Sequence, residues 1–292
     1  MPQDKITDVF AQKQRTLSFE FFPPKTDKGR DRLFDTAEKL VDLGADWFSV
    51  TYGAGGTTAE NTLRTAEELI QQFDIPVVHH FTCIKHTWDS IRRELDRMKN
   101  AGVRNLMALR GDPPQHERDY QFRPDQPRYA YQLVEMTRSE HDDHFSIGVA
   151  GFPESHPLAP NLDVDSHFLK MKQDAGADYC ITQFFFENML YWEYLQRVRE
   201  AGVTLRIIPG LLPVTDYEKL VDFAANCGAT VPHTIHEIFD PIKGDADATI
   251  ARGTDYAVSQ AQDLLDRGAP GLHFYCLNRA EPVGSIIKSL KL

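Results

Sequence analysis

Eight short β-rich runs alternate with amphipathic segments along this chain, and a glycine-centred tag marks four of the joints between them. The runs extend from Leu17 to Phe22, Trp47 to Tyr52, Val77 to Cys83, Asn105 to Leu109, Phe145 to Ala150, Tyr179 to Phe185, Leu205 to Ile208 and Leu272 to Leu277. Between them apolar residues recur at helical spacing, as in Leu33, Ala37, Leu40 and Val41, or Tyr191, Tyr194, Leu195 and Val198. Further sets are Ile91, Leu95 and Met98; Phe168, Met171 and Ala175; and Leu220, Phe223, Ala224 and Cys227. The tags are centred on Gly44, Gly102, Gly176 and Gly202, and glycine is the residue best suited to stop a helix. With no linker or low-complexity break, this alternation predicts an α/β fold: a single (β/α)8 TIM barrel spanning residues 1–292. An open doubly wound sheet is the alternative. Such a sheet usually carries a Gly-rich fingerprint directly after its first strand, where Pro23 and Pro24 stand instead. The longest interval, Thr230 to Asp266, predicts extra helix before the last strand, with Pro232 and Pro241 as breaks. Residues 1–15 read as a polar N-terminal extension or helix.

Composition narrows the partners. A chain of 292 residues buries about three quarters of its unfolded surface and needs no disulfide or metal to fold. Its 32 Lys and Arg against 43 Asp and Glu give a net charge of −11. Nucleic acid and anionic membrane surfaces both require a positive field, so neither is an expected partner. Cys83, Cys180, Cys227 and Cys276 form no C-x-x-C pair and read as structural thiols, which suits a reducing cytoplasm. No signal peptide and no membrane span is evident.

In such a barrel, chemistry sits at the C-terminal ends of the strands. Glu20 lies near the end of the first run. Strand alternation places Ser18, Glu20 and Phe22 on one side, and Phe19 and Phe21 on the other. If the two phenylalanines face the helices, Glu20 points into the barrel mouth. Desolvation there would raise its pKa, as a general acid requires. A carboxylate held in a buried salt bridge is the competing reading. Asp112, in the Arg110 to Pro114 loop, is a second carboxylate at the mouth or a turn residue capping its own loop. The loop from Thr51 to Gly56 is Gly-rich but lacks the last glycine of a dinucleotide fingerprint. Gln183 could pair with an amide-like ring. The neighbours His79 and His80 must face opposite ways on their strand, and His233 and His236 have poor ligand spacing, so no metal is expected. There is no Gly-x-Ser-x-Gly elbow.

Together, the segments Ser18–Pro24, Ser49–Ala54, His80–Ile84, Ala108–Asp112, Pro153–Pro157, Ile181–Phe186, Ile207–Val214 and His273–Arg279 closely resemble bacterial methylenetetrahydrofolate reductases. The resemblance covers nearly the whole chain, which looks like the bare catalytic barrel without a regulatory domain. It implies an FAD enzyme in which NADH or NADPH reduces the flavin and leaves. 5,10-Methylenetetrahydrofolate then takes the hydride in a ping-pong scheme, and the 5-methyltetrahydrofolate formed supplies methyl groups for methionine synthesis. NADH is favoured, since no added basic cluster for a 2′-phosphate is evident. A homo-oligomer is also implied.

Carried over by motif, Glu20 is the acid that protonates N10 and opens the imidazolidine ring. Asp112 contacts the pterin and stabilises the 5-iminium cation beside the flavin. Gln183 serves both substrates, and Thr51 contacts nicotinamide. Tyr52, Ala54, His80, Arg110, Gly111, Tyr129, Ala130, His156, Asp165 and Lys172 match FAD-contacting positions. Phe223 stacks on a substrate, and Arg279 meets the folate glutamate. Phe152, another cofactor position, stands where some relatives have Tyr. Lys219 replaces a Gln that touches folate, and Phe168 and Met171 replace polar residues along the FAD tail. The competing functions are a barrel that only binds folate or flavin, and a proline dehydrogenase-like flavin barrel.

Overall fold

The computed structural model describes residues 4–53, 59–113, 117 and 120–291. Nine parallel strands form one sheet: β1 (Thr16–Phe21), β2 (Trp47–Val50), β3 (Val77–Thr82), β4 (Asn105–Leu109), β5 (Ser146–Gly151), β6 (Tyr179–Thr182), β7 (Arg206–Ile208), β8 (Gly210–Leu211) and β9 (Gly271–Tyr275). Their order is β7-β6-β5-β4-β3-β2-β1-β9-β8. The two ends of that order are joined through Pro209, so the sheet closes into the expected barrel. The seventh run, which ends at Ile208 in the sequence reading, continues past the proline. β7 pairs with β6, while β8 pairs with β9. Pro209 has no N–H to give, but its carbonyl accepts from His273 N at 3.0 Å and holds the seam. Gly210 follows because a Cβ there would lie 2.3 Å from the Thr182 carbonyl oxygen.

Eleven helices surround the sheet among the described residues: α1 (Ile6–Gln12), α2 (Asp27–Asp42), α3 (Ala59–Gln72), α4 (Trp88–Asn100), α5 (Ala130–His141), α6 (Leu162–Asp174), α7 (Asn188–Glu200), α8 (Tyr217–Cys227), α9 (His233–Phe239), α10 (Ala246–Asp266) and α11 (Glu281–Ser289). Their starts are chemically marked. Thr26, Thr87, Asn161, Asp216 and Asp245 each accept a backbone N–H from the first turn. The four tag glycines all adopt positive φ, from +81° to +109°, as a helix stop requires. The extra helix before the last strand is α9 followed by α10, with Pro232 capping α9 and Pro241 in the short 3-10 turn between them. α3, α5 and α11 lie outside the helices traced from apolar spacing.

Alternation along the strands divides the core. Phe19 and Phe21 face outward against Phe48 and Phe274, beneath the helices. Inside, the floor of the barrel is closed by Ile6 of α1 against Trp47, Val78, Met107, Tyr179, Ile181 and Ile208. β2 and β6 are shorter than expected, ending at Val50 and Thr182. Beyond β6, Phe185 joins the outer core while Phe184 and Phe186 pack under α8 and α9. The chain has already left the ladder there.

Candidate active site

With Phe19 and Phe21 turned outward, Glu20 points into the upper barrel. Its side chain is only 12% exposed. His80 Nε2, from β3, lies 3.4 Å from Glu20 Oε2. His273 Nε2, from β9, lies 3.6 Å from the same oxygen. Burial alone would push Glu20 up. The two imidazoles outweigh it, chiefly the charge of His80, and hold the carboxyl below its ordinary value. The expectation of a raised pKa is therefore corrected: in this geometry Glu20 is an anion at neutral pH. His80 itself is lowered, because burial exceeds the opposing pull of Glu20.

The backbone around Glu20 is fixed from β9 and the turn after it. The Cys276 thiol donates to the Glu20 carbonyl at 3.0 Å. Asn278 accepts from Phe22 N and donates to Phe22 O, both at 2.8 Å, extending the β1–β9 ladder with a side chain. Leu277 and Asn278 both sit at positive φ, 51° and 56°. Asn tolerates that region, while Leu277 is held there by the turn that carries the Asn278 contacts to Phe22.

A second cluster lies on the β4–β6 side. Lys172 reaches back from α6 to donate to the Ala150 carbonyl at 2.8 Å and stands 5.9 Å from the Phe152 ring. Burial lowers its pKa. Asp165, also buried, is raised by desolvation and accepts from His156 N at 3.3 Å. His156 packs edge-on against Phe152 at 4.7 Å. Its pKa falls to about 4, first by burial and then by the charges of Lys172 and Arg110, while Asp112 opposes. Arg110 lies 5.2 Å above the Phe122 ring, and its buried Nη1 has no hydrogen-bond partner among the described residues. Gly111 sits beside it, over Thr82 and Ile84. Tyr129 caps α5 ahead of the buried Ala130, and its half-exposed ring leans on Phe168 at 5.1 Å.

Asp112 is exposed, and its charge is felt by both His156 and Cys227, so it stands between the two clusters. Cys227 also feels Glu20. Phe223 is 41% exposed and stacks on Phe184 at 5.6 Å, and Phe184 meets Tyr275 at 6.0 Å. Gln183 continues the strand through N–H to Gly151 O at 2.7 Å, and its Oε1 accepts from Phe184 N. Arg279 is exposed, with its charge near Asp216. Lys219 forms an ion pair with Asp216 at 2.6 Å. Thr51 N donates to Phe21 O at 2.9 Å, and the Tyr52 hydroxyl pairs with His86 at 3.0 Å. Ala54 lies outside the described residues.

A family model described as methylenetetrahydrofolate reductase matches residues 5–291. The chain belongs to the methylenetetrahydrofolate reductase family. It is 34% identical over 298 residues to methylenetetrahydrofolate reductase (NADH) 1 of Arabidopsis thaliana, covering 99% of this chain and 50% of the plant protein. It is 35% identical over 280 residues to 5,10-methylenetetrahydrofolate reductase of Escherichia coli, covering 96% of this chain and 92% of that one. The chain thus spans about half the length of several curated relatives it matches. Among solved structures, an uncharacterized Clostridium thermocellum protein that binds two copies of 5-methyl-5,6,7,8-tetrahydrofolic acid aligns with a TM-score of 0.65. It covers 97% of this chain and 96% of its own at 14% identity, a likeness of fold.

The sequence reading missed His273, Tyr275 and Cys227. The signal for the first two was available. Alternation along the last strand puts His273 and Tyr275 on one face, as it puts Ser18 and Glu20 on one face of the first. Cys227 approaches only because α8 folds over the mouth.

Proposed function

We propose that this family member reduces 5,10-methylenetetrahydrofolate to 5-methyltetrahydrofolate with NADH or NADPH, using FAD, in a ping-pong scheme. The observation that carries this reading is Glu20, an almost fully buried carboxylate at the barrel mouth within 3.6 Å of two imidazoles. A pure binding barrel needs no such group. Pairing keeps Glu20 ionised at rest, so it becomes an acid only after taking up a proton. Covering the mouth with folate removes the remaining water and favours the neutral carboxyl. Glu20 then delivers the proton to N10.

The residues present suit a flavin dinucleotide. Arg110 offers a buried, unpartnered Nη1 to an anion, Lys172 adds a buried ammonium, and half-exposed Tyr129 offers a ring face. When bound, FAD supplies a two-electron carrier between nicotinamide and folate. His80, Arg110, Gly111, Tyr129, Ala130, Phe152, His156, Asp165 and Lys172 would hold it, with Tyr52 and, by family resemblance, Ala54. Asp112 would meet the pterin, with Gln183, Phe223 and Arg279 along the substrate and Thr51 at nicotinamide. Family resemblance supports a cytoplasmic homo-oligomer serving methionine synthesis.

The experiment is direct. Purified protein supplied with FAD should turn yellow, NADH should bleach it, and methylenetetrahydrofolate should restore the colour. Protein that takes up no FAD, or a reduced form that folate cannot reoxidise, would overturn the reading.

A further inference from the structure

The inner face of β1 carries Ser18 two residues before Glu20, and His273 spans them from β9. Ser18 Oγ lies 2.9 Å from His273 Nδ1, and His273 Nε2 lies 3.6 Å from Glu20 Oε2. The imidazole cannot turn away. It is fully buried, stacks on Trp47 at 5.3 Å and 22°, and meets Tyr275 edge-on at 5.3 Å. Each ring nitrogen therefore faces one group. Ser18 Oγ has a second acceptor within reach, the Leu272 carbonyl at 3.2 Å.

We propose that Ser18, His273 and Glu20 form a proton-loading array, with Ser18 and His273 as positioning residues for the acid step; this rests on the reading of Glu20 as the acid. At rest, the Ser18 hydroxyl donates into Nδ1, and Nε2–H faces the Glu20 carboxylate. When one proton arrives from solvent, Nδ1–H donates to Ser18 Oγ, and the hydroxyl hydrogen turns to the Leu272 carbonyl. The Nε2 proton crosses to Glu20 once the 3.6 Å gap of the resting site shortens to a hydrogen bond. The loaded array holds one more proton than the resting one, and that proton leaves to N10. Ser18 keeps a hydrogen bond in both states because a hydroxyl both donates and accepts. His80 faces Glu20 from β3, Tyr275 lies beside it on β9, the Cys276 thiol holds its carbonyl, and Cys227 looks on from α8. Of the two imidazoles that face Glu20, His273 is, among the described residues, the one whose far nitrogen is held by a hydroxyl with a second acceptor.

The first test needs no flavin. In ligand-free protein labelled with ¹⁵N-histidine, imidazole NMR should show the resting proton of His273 on Nε2, with Nδ1 accepting from Ser18. In Ser18→Ala both states lose the hydroxyl, and the state in which the doubly protonated ring must donate from Nδ1 loses the stronger bond. With Ser18→Ala holoenzyme, the pH midpoint for reoxidation by methylenetetrahydrofolate should fall by about one unit, while reduction by NADH is unmoved. Ser18→Thr, which keeps the hydroxyl, should return the midpoint. A resting proton on Nδ1, or an unchanged midpoint in Ser18→Ala, overturns the array. If Glu20→Gln left folate reoxidation at the parent rate, the acid reading itself would fail, whatever the NMR showed.

Discussion

The floor and the mouth of this barrel are built from the same strands, two residues apart, and are chemically opposite. On β3, Val78 belongs to the floor and His80 to the mouth, and on β1 the inner positions are Ser18 and Glu20. The floor is sealed by α1. Ile6 enters the apolar cluster, its N–H is capped by Asn105 Oδ1 at 2.8 Å, and Phe10 meets Tyr179 at 5.4 Å. Among the described residues the mouth has no such plug. Its imidazole and guanidinium groups keep unsatisfied nitrogens, at His80 Nε2, His273 Nε2 and Arg110 Nη1. The floor has unpartnered polar atoms too, at Trp47 Nε1 and the Tyr179 hydroxyl, but they sit on neutral aromatic side chains packed in the apolar cluster, whereas those of the mouth sit on groups that can carry charge.

That division can be broken from either side. The largest effect belongs to the mouth. Glu20→Gln should slow folate-dependent reoxidation about 1,000-fold and leave reduction by NADH within a few-fold, because only the former needs the proton. Stopped-flow absorbance of the two half-reactions reads this, and equal losses in both would make Glu20 structural. At the floor, Ile6→Ala should cost about 2 to 3 kcal/mol of unfolding free energy in urea through the cavity it leaves. The pH midpoint of the folate step should stay where it was. A shifted midpoint would mean that the two ends are coupled through the strands.

Much of this geometry is legible in the chain because strand alternation is local. Phe19 and Phe21 are bulky and apolar, Ser18 and Glu20 are not, and a period of two settles which pair faces in. The same rule separates His79 from His80. What is not legible depends on partners distant in sequence. The proton affinity of Glu20 is set by His80 and His273, the latter more than 250 residues away, so burial alone gave the wrong direction. The seam at Pro209 was equally hidden. A proline reads as the end of a strand, and only the neighbouring β9 shows that Gly210 and Leu211 continue it. The phenylalanines after β6 have strand-like composition, yet they leave the ladder because two different cores claim them.

The smallest predicted effect sharpens the contrast between adjacent imidazoles. His79 turns outward beneath the helices, is 2% exposed, and has no hydrogen-bond partner at either nitrogen among the described residues, with the Tyr52 ring 6.2 Å away. Burial, helped by the charge of His80, lowers it to about 3. A folded-state value below that of the unfolded chain means that the unfolded chain binds the proton first. His79 therefore removes stability as pH falls from the ordinary histidine range toward 3, with a slope approaching 1.4 kcal/mol per pH unit. His156, lowered to about 4, adds to the same acid sensitivity over the upper part of that window. Replacing His79 with Phe should leave the slope of unfolding free energy against pH shallower by about 1 kcal/mol per unit between about pH 6 and 4. Both half-reactions should remain intact, since the side chain does not enter the barrel. Urea titrations at a series of pH values check the slope. A variant as acid-sensitive as the parent would show that His79 meets water in the folded state, and the outer layer of the barrel would then be less dry than its packing implies.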